Sequence, residues 1–265
     1  MYVKLNHENF QELIHFYEQL EKEDNDKAIN NLGSIYENGY DVEKDYSKAM
    51  NYYLKAAEKG NTSGINNLGY LYDNGLGVEK DYTKAKDLYL KAVKKGNVSA
   101  INNLGYLYLN GNGVEKDYSK AKEYFEKAAE KGNIGALNNI GYIYEKGYGV
   151  MQDYSKAKEY FEKAAEKEDS FAMHNFGNLY AAGDGVEQDY SIALKYYLQA
   201  EEKGNIEILN QIGHLYENGH GVEQDYSIAL QYYLQAAEKG SKEAIFNIAD
   251  FYKAGHGVKQ DSSKA

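Results

Sequence analysis

Apolar and small residues recur along the chain with the spacing of amphipathic α-helices, in short segments that glycine separates. In residues 97–132 the apolar stripe of the first segment consists of Ala100, Ile101, Leu104, Gly105, Leu107 and Tyr108. The opposite side of that segment carries Asn102, Asn103, Tyr106 and Leu109. The stripe of the second segment consists of Tyr118, Ala121, Phe125, Ala128 and Ala129, with Tyr124 at its edge. The pattern predicts two helices, each of which buries one side against a partner.

Polar and glycine residues mark where these two helices begin and end. Asn97 and Asp117 each precede a stripe, and their side chains are suited to accept a free N–H of the first helical turn. Gly111 and Gly132 follow the stripes, where a left-handed residue ends a helix. We call the first helix of each pair helix A and the second helix B. Mid-helix Gly105 predicts a close approach by a large side chain, and Tyr108 and Phe125 are the candidates.

The same segment pair repeats every 36 residues without a gap. We call the positions 36 apart a column. The glycine column consists of Gly33, Gly69, Gly105, Gly141, Gly177 and Gly213, and Ala249 continues it. A fixed period of this length is typical of stacked repeat arrays. The predicted complete repeats are 25–60, 61–96, 97–132, 133–168, 169–204 and 205–240.

The pattern A-x-x-x-L-G-x-x-Y-x-x-G-x-G-V-x-x-D-Y-x-x-A-x-x-Y/F-x-x-A-A-x-x-G resembles the Sel-one-like repeat, a relative of the tetratricopeptide repeat. The resemblance covers nearly the whole chain. It implies an all-α fold, a right-handed α/α superhelical solenoid of helix-turn-helix repeats. It also implies a scaffold for protein complexes, in which the A helices line the concave surface.

The ends of the array differ from its middle. Residues 1–24 contain a helix, roughly 7–22, in the helix B position, and we expect an N-terminal capping helix. Residues 241–265 form a partial seventh repeat without helix B, which favours a fragment of a longer protein and self-association through this uncapped end. Glu168 replaces a turn glycine, so we expect a less regular turn there. The B helices become more apolar from Gln188 onward, which suggests a subtle boundary near 168.

Composition and charge narrow the function classes. The net charge is −11, and lysine alternates with glutamate without a basic block, so nucleic acid is not the expected partner. The acidic balance favours a neutral to basic protein or peptide. The chain has no cysteine, no apolar run long enough for a membrane span and no signal-peptide core at its start, which predicts a cytoplasmic protein.

No residue pattern indicates catalysis, a cofactor or a metal. His220 and His256 are in the same column, but a metal requires further ligands close by. Aspartates such as Asp117 recur in every repeat as helix caps, whereas a catalytic pair would occur once. The G-x-G-V loops lack the third glycine and the preceding strand of a dinucleotide site. We therefore predict that the protein is not an enzyme.

The polar side of helix A is the candidate binding surface. Its central column includes Tyr70, Tyr106, Tyr142, Asn178 and His214. Two flanking columns contain asparagine, among them Asn66, Asn102, Asn138, Asn67, Asn103 and Asn139. Tyrosine rings and amide groups together are suited to a peptide backbone. The alternative is that the asparagines bridge neighbouring A helices and stabilise the stack.

The sequence thus predicts a non-enzymatic scaffold or adaptor that presents a concave, Tyr/Asn-rich groove to a partner. Two alternatives remain open. One is a regulatory subunit of a signalling, secretion or protein-quality-control complex. The other is a secreted hydrolase-like protein that binds β-lactams, against which the missing cysteines and signal peptide argue.

Overall fold

The computed structural model describes residues 7–255 and is built from helices joined by short turns. Within this range it contains no strand. The helices, in chain order, are α1 (His7–Lys22), α2 (Asp26–Asn38), α3 (Tyr46–Glu58), α4 (Thr62–Asn74), α5 (Tyr82–Lys94), α6 (Val98–Asn110), α7 (Tyr118–Glu130), α8 (Ile134–Lys146), α9 (Tyr154–Ala165), α10 (Ser170–Ala182), α11 (Tyr190–Glu202), α12 (Leu209–Asn218), α13 (Tyr226–Glu238) and α14 (Lys242–Ala254). The even-numbered helices are A helices and the odd-numbered ones are B helices.

The chain forms two compact units, unit 1 with residues 1–133 and unit 2 with residues 134–265. Unit 1 contains α1–α7, and unit 2 contains α8–α14. The units divide at a turn between repeats, one repeat earlier than the change of composition near 168. Within each unit every helix packs against its neighbours in sequence. The all-α solenoid fold predicted from the repeats is confirmed.

A glycine in helix A brings the two helices of a pair into close contact. A Cβ atom placed on Gly105 would lie 2.5 Å from Cε1 of Phe125, and one on Gly69 would lie 2.8 Å from Cε1 of Tyr89. Such distances are far shorter than van der Waals contact, so only glycine lets the aromatic ring rest on the helix backbone. Tyr108 does not share this role, because its ring stacks on Tyr124 with the centroids 5.5 Å apart.

The predicted caps hold the helix ends. The Asp117 Oδ1 atom accepts a hydrogen bond of 2.9 Å from the backbone N–H of Lys120. The Asn97 Oδ1 atom accepts one of 2.9 Å from the N–H of Ala100. At the end of α6, Gly111 has a φ of 76° and its N–H donates to the carbonyl of Leu107. These bonds satisfy backbone groups that would otherwise lack a partner at the helix ends.

Consecutive repeats touch through small residues. A Cβ atom on Gly64, in the first turn of α4, would lie 2.7 Å from the Cβ atom of Ala56 on α3. The column of Gly64 contains Ala28, Ala100, Ala136, Ala172, Ile208 and Ala244. The first turn of helix A therefore fits against the preceding helix B only when this residue is very small.

Two substitutions of glycine leave the turns intact. Asp41 has a φ of 59°, and its carboxylate accepts a hydrogen bond of 2.9 Å from Gln11 on α1. Glu168 has a φ of 64°, and its N–H donates to the carbonyl of Ala165 as Gly132 does to Ala129. The expectation of a less regular turn at Glu168 was wrong, because this residue adopts the left-handed conformation of the glycine that it replaces.

Helix α1 packs against α2, as the N-terminal cap requires. Ile14 is its buried residue and contacts Leu32 and Ile35 of α2. Phe10 and Leu13 of the same helix are partly buried. The helix thus covers the first helix pair.

Helix α12 begins three residues later than the other A helices. Its N-terminal position Ile208 has no side-chain cap, and Asn205 forms a tight turn in which its Oδ1 atom accepts from the N–H of Glu207. Ile208 belongs to the column of small residues and is fully buried. Because its side chain does not fit against α11 in the regular geometry, the first turn of the helix is unwound.

Candidate functional site

The polar sides of the A helices form the A-face of each unit. In unit 1, Tyr70 and Tyr106 are exposed to 42% and 40%. In unit 2, Tyr142, Asn178 and His214 are partly buried. Of these five residues, the tyrosines of unit 1 are therefore the most open to a partner.

The asparagine columns connect neighbouring A helices. The Nδ2 group of Asn67 donates to Oδ1 of Asn30 at 3.2 Å, and Asn103 donates to Asn66 at 3.0 Å. In unit 2, Asn175 donates to Asn138 at 2.8 Å. These bonds form an amide ladder along the helix stack. The bridging role that the sequence left open is thus present, and the predicted contact residues Asn66, Asn103 and Asn138 all take part in it.

Burial further limits two of the predicted asparagines. Asn66 and Asn139 are both buried, at 8% and 5% exposure. Asn102 is partly buried. The amide groups of Asn66 and Asn139 therefore reach a partner only at their edges, and the tyrosines of the central column are the more accessible groups.

The amide ladder is interrupted at α12. By the period, Gln211 and Asn247 would donate to His174 and Asn210. Gln211 instead faces the carbonyls of the unwound turn, to which its amide nitrogen donates. The Nε2 atom of His174 and the Oδ1 atom of Asn210 are buried without a hydrogen-bond partner, and burial lowers the pKa of His174.

A carboxylate column lies next to the tyrosine column. The buried Tyr53 of α3 donates its hydroxyl hydrogen bond to Glu37, and Tyr89 of α5 donates to Asp73 at 3.2 Å. In the third repeat the same two positions are Leu109 and Phe125, both buried and apolar. The sequence placed Leu109 on the polar side of helix A, which was wrong because an apolar ring replaces the tyrosine hydroxyl there.

Sequence analysis did not identify these carboxylates as part of the surface. A partial signal was available, because a tyrosine in helix B accompanies a carboxylate in helix A in three repeats and a phenylalanine accompanies a leucine in another. A buried tyrosine hydroxyl requires a hydrogen-bond partner, and phenylalanine does not. The other two repeats break the pattern, because Phe161 accompanies Glu145 and Tyr197 accompanies Ala181.

A recess of about 300 Å³ opens on the A-face of unit 1. Its lining residues are Tyr70, Asp73, Asn74, Lys80, Tyr82, Asn103, Tyr106, Leu107, Asn110 and Asn112. Burial raises the pKa of Asp73, which the hydrogen bond from Tyr89 and the charge of Lys80 partly offset. Burial also raises the pKa of the Tyr70 hydroxyl, as do the charges of Glu37 and Asp73. The recess thus combines two exposed rings, amide groups and a half-buried carboxylate.

The A-face of unit 2 is occupied by its own side chains. Tyr142 packs edge-on against Tyr148, with the centroids 5.8 Å apart, and the Lys146 ammonium lies 5.5 Å from the centroid of the Tyr142 ring. Asn178 accepts a hydrogen bond of 2.7 Å from Tyr197. These contacts leave the side chains of unit 2 less available than Tyr70 and Tyr106.

The remaining candidates from the sequence have simple contacts. His220 stacks on Tyr190 with the centroids 4.5 Å apart, and His256 lies outside the described residues. In residues 7–255 no cluster of three histidine, aspartate or glutamate side chains could hold a metal ion. Among the described helices, none is long and apolar enough to cross a membrane.

Comparison with known proteins identifies a single repeat family. The family model of the Sel1 repeat matches residues 26–61, 62–97, 98–133, 134–169, 170–205, 209–241 and 242–265. The matched ranges begin one residue after most of the predicted repeat boundaries. They omit 206–208, which is the unwound start of α12. No match was found among the curated proteins.

Solved structures of similar proteins extend this result. A Sel1 repeat protein from Oxalobacter formigenes is 34% identical, covers 91% of this chain and 96% of its own, and has a TM-score of 0.75. A protective antigen present in uropathogenic Escherichia coli strains is 33% identical over 95% of this chain, with a TM-score of 0.66. This chain spans 54% of the antigen's length. An immunity protein from Pseudomonas aeruginosa, at 24% identity, 80% and 81% coverage and a TM-score of 0.62, shares the fold alone.

Proposed function

Because the chain belongs to the Sel1 repeat family, whose members are in general helical scaffolds for protein interaction, we propose that it is a non-enzymatic adaptor. It binds a segment of a partner protein at the A-face of unit 1. The observation that carries this proposal is that Tyr70 and Tyr106, both exposed, line one recess together with amide side chains. Exposed tyrosines supply large, rigid contact area at a low cost in conformational entropy.

The other predicted contact residues contribute less in this view. The asparagines of the ladder fix the spacing of the A helices, and their outer edges offer hydrogen bonds to a peptide backbone. Tyr142, Asn178 and His214 form a second, smaller contact surface on unit 2. The net charge of −11 supports a neutral to basic partner.

The test is capture of partners from cells of the source organism by the purified protein. We expect the Tyr70→Ser/Tyr106→Ser variant to lose partners that the parent chain retains. Tyr40→Ser is the matched control, because Tyr40 is also an exposed tyrosine but lies in a loop of unit 1 outside the recess. Equal capture by the parent and the double variant would refute the proposal, provided that both melt at the same temperature.

Two further points belong to the same proposal. Turnover of β-lactams or cell-wall fragments by the purified protein would replace the adaptor role with the hydrolase alternative. Ile245 and Phe246 on α14 are 56% and 72% exposed, which supports self-association through this helix. Sedimentation of the Ile245→Lys/Phe246→Lys variant tests this, and an unchanged oligomeric state would exclude it.

A further inference from the structure

The carboxylate column of the A helices has different partners in the two units. In unit 2, Glu145 forms an ion pair of 2.6 Å with Lys146, and Ala181 replaces the carboxylate in the next repeat. Glu217 accepts a hydrogen bond of 2.6 Å from Tyr233, and it also lies 3.3 Å from the Nδ1 atom of His214. In unit 1, Glu37 and Asp73 accept hydrogen bonds from the neutral hydroxyls of Tyr53 and Tyr89. Within residues 7–255 neither Glu37 nor Asp73 forms a direct ion pair with a lysine or histidine side chain.

One exposed tyrosine links the two carboxylates electrostatically. Tyr70 lines the same recess as Asp73, and the charges of Glu37 and Asp73 both act on its hydroxyl. Glu37 on α2 and Asp73 on α4 belong to neighbouring A helices, which the bond from Asn67 to Asn30 connects directly. Glu37, Tyr70 and Asp73 thus form one acidic and aromatic cluster, which we call the acidic cluster.

The lysine that lines the recess acts on Asp73 from a distance but is not ion-paired to this cluster. Lys80 has its ammonium 5.5 Å from the centroid of the Tyr82 ring, and it forms no ion pair with Asp73 among the described residues. Burial of Asp73 has therefore removed water without supplying a positive charge at hydrogen-bonding distance. A half-buried carboxylate in this condition favours a cation that enters the recess. The faces of the Tyr70 and Tyr106 rings favour the same kind of group.

We propose that the acidic cluster binds a lysine or arginine side chain of the partner segment, so that unit 1 recognises basic peptides. This rests on the proposed adaptor function. Neighbouring packed helices lie about 8–10 Å apart, and an extended peptide rises about 3.3 Å per residue. Side chains of an extended peptide alternate between its two faces, so two basic residues two positions apart, about 7 Å along the chain, are the pair whose flexible stems reach Glu37 and Asp73 together.

The experiment is a selection of random twelve-residue peptides displayed on phage against the full chain. We expect the peptides enriched by the parent to carry lysine or arginine, often at a spacing of two. The Glu37→Gln/Asp73→Asn variant retains oxygen acceptors for Tyr53 and Tyr89, so its fold is preserved. It is expected to bind the selected peptides at least about tenfold more weakly, as loss of charge-assisted contacts predicts.

The control removes two carboxylates elsewhere. The Glu145→Gln/Glu159→Gln variant has the same change of net charge, but its two sites lie in unit 2 and are ion-paired to Lys146 and Lys163. It is expected to bind the selected peptides as the parent does. Equal weakening of both double variants would overturn the proposal, since binding would then follow the overall charge.

The selection also separates this proposal from the adaptor function on which it rests. Peptides that lose binding in the Tyr70→Ser/Tyr106→Ser variant but carry no excess of basic residues would overturn the acidic cluster alone. Recovery of no peptide that depends on these tyrosines would overturn the use of the A-face of unit 1 and the acidic cluster with it.

Discussion

Gly105 allows the ring of Phe125 to lie directly against the backbone of α6. A Cβ atom there would lie 2.5 Å from Cε1 and 2.6 Å from Cδ1 of that ring. Phe125 is fully buried, and Tyr106 packs edge-on against it with the centroids 5.4 Å apart. The ring therefore has little freedom to move aside. A methyl group added at Gly105 would push α6 and α7 apart.

Gly105→Ala is expected to destabilise the protein. Overpacking costs about 1–3 kcal/mol, and the better helix propensity of alanine returns up to about 1 kcal/mol. We expect the urea midpoint to fall accordingly. The Gly105→Ala/Phe125→Leu variant should show a favourable coupling between the two changes, because the smaller side chain makes room for the methyl group. A midpoint for Gly105→Ala above that of the parent would mean that the contact is not close, because only the gain in helix propensity would then remain.

At the scale of residues, the sequence predicted which side chains pack in the core better than it predicted which side chains stack on or hydrogen-bond to each other. The glycine column pointed to Phe125 because mid-helix glycine requires a physical reason. The role of Tyr108 could not be predicted, since stacking on Tyr124 depends on the angle between two helices. The role of Asn66 could not be predicted either, because an asparagine at this position could bind a ligand or accept the hydrogen bond that Asn103 donates to it.

At the scale of the helix, α12 shows what a single large residue does to a repeated contact. Gly64 and its equivalents permit the first turn of helix A to pack on an alanine of the preceding helix B. Ile208 takes that place in α12, and the helix begins at Leu209. The family model does not match residues 206–208, which are the three residues of the missing first turn of α12. The deviation was visible in the column, but periodicity alone did not show that the chain would unwind.

Ile208→Ala is expected to restore the missing turn. The amide of Leu209 should then bond to the carbonyl of Asn205, as Ile65 bonds to Asn61, and Asn205 should cap the helix. Slower hydrogen exchange of amides 209–211 would report the change. Truncation of a buried isoleucine normally costs about 2–5 kcal/mol, and we expect a smaller loss here because the strain is relieved.

Ile206→Ala is the matched control for this change, since Ile206 lies in the same segment but is exposed. Its amide exchange pattern should equal that of the parent chain. If Ile208→Ala leaves the start of α12 unchanged, the steric explanation is incorrect and another residue of 205–208 determines where the helix begins.

At the scale of the molecule, repetition made the fold predictable and left the site open. The 36-residue period predicted fourteen helical segments and their caps, because each repeat must bury the same apolar stripes against the repeats next to it. Unit 1 and unit 2 share these columns, yet Glu37 and Asp73 lack the lysine that is ion-paired to Glu145 and the histidine that contacts Glu217. That difference depends on side-chain positions between helices, which a periodic pattern does not contain.

The buried tyrosines of the B helices make the whole molecule sensitive to alkali. Burial raises the pKa of Tyr197 to about 12. The pKa values of Tyr53, Tyr89 and Tyr233 are raised further, by burial and by the carboxylate that each hydroxyl contacts. The ordinary value is 10.0. A group whose pKa is higher in the folded chain stabilises the fold fully below the unfolded pKa, and this contribution is lost as the pH rises through the folded value.

We therefore expect stability to be retained up to about pH 10 and to fall steadily above it as these tyrosines ionise. Tyrosinate absorbance should rise in two stages, first for the exposed rings and then, together with loss of helical circular dichroism, for the buried ones. Tyr197→Phe should move the second stage to higher pH, since Phe125 and Phe161 show that the ring fits this column without a hydroxyl. Ionisation of all 29 tyrosines in one stage near pH 10, with the helices intact, would contradict the burial of these hydroxyls.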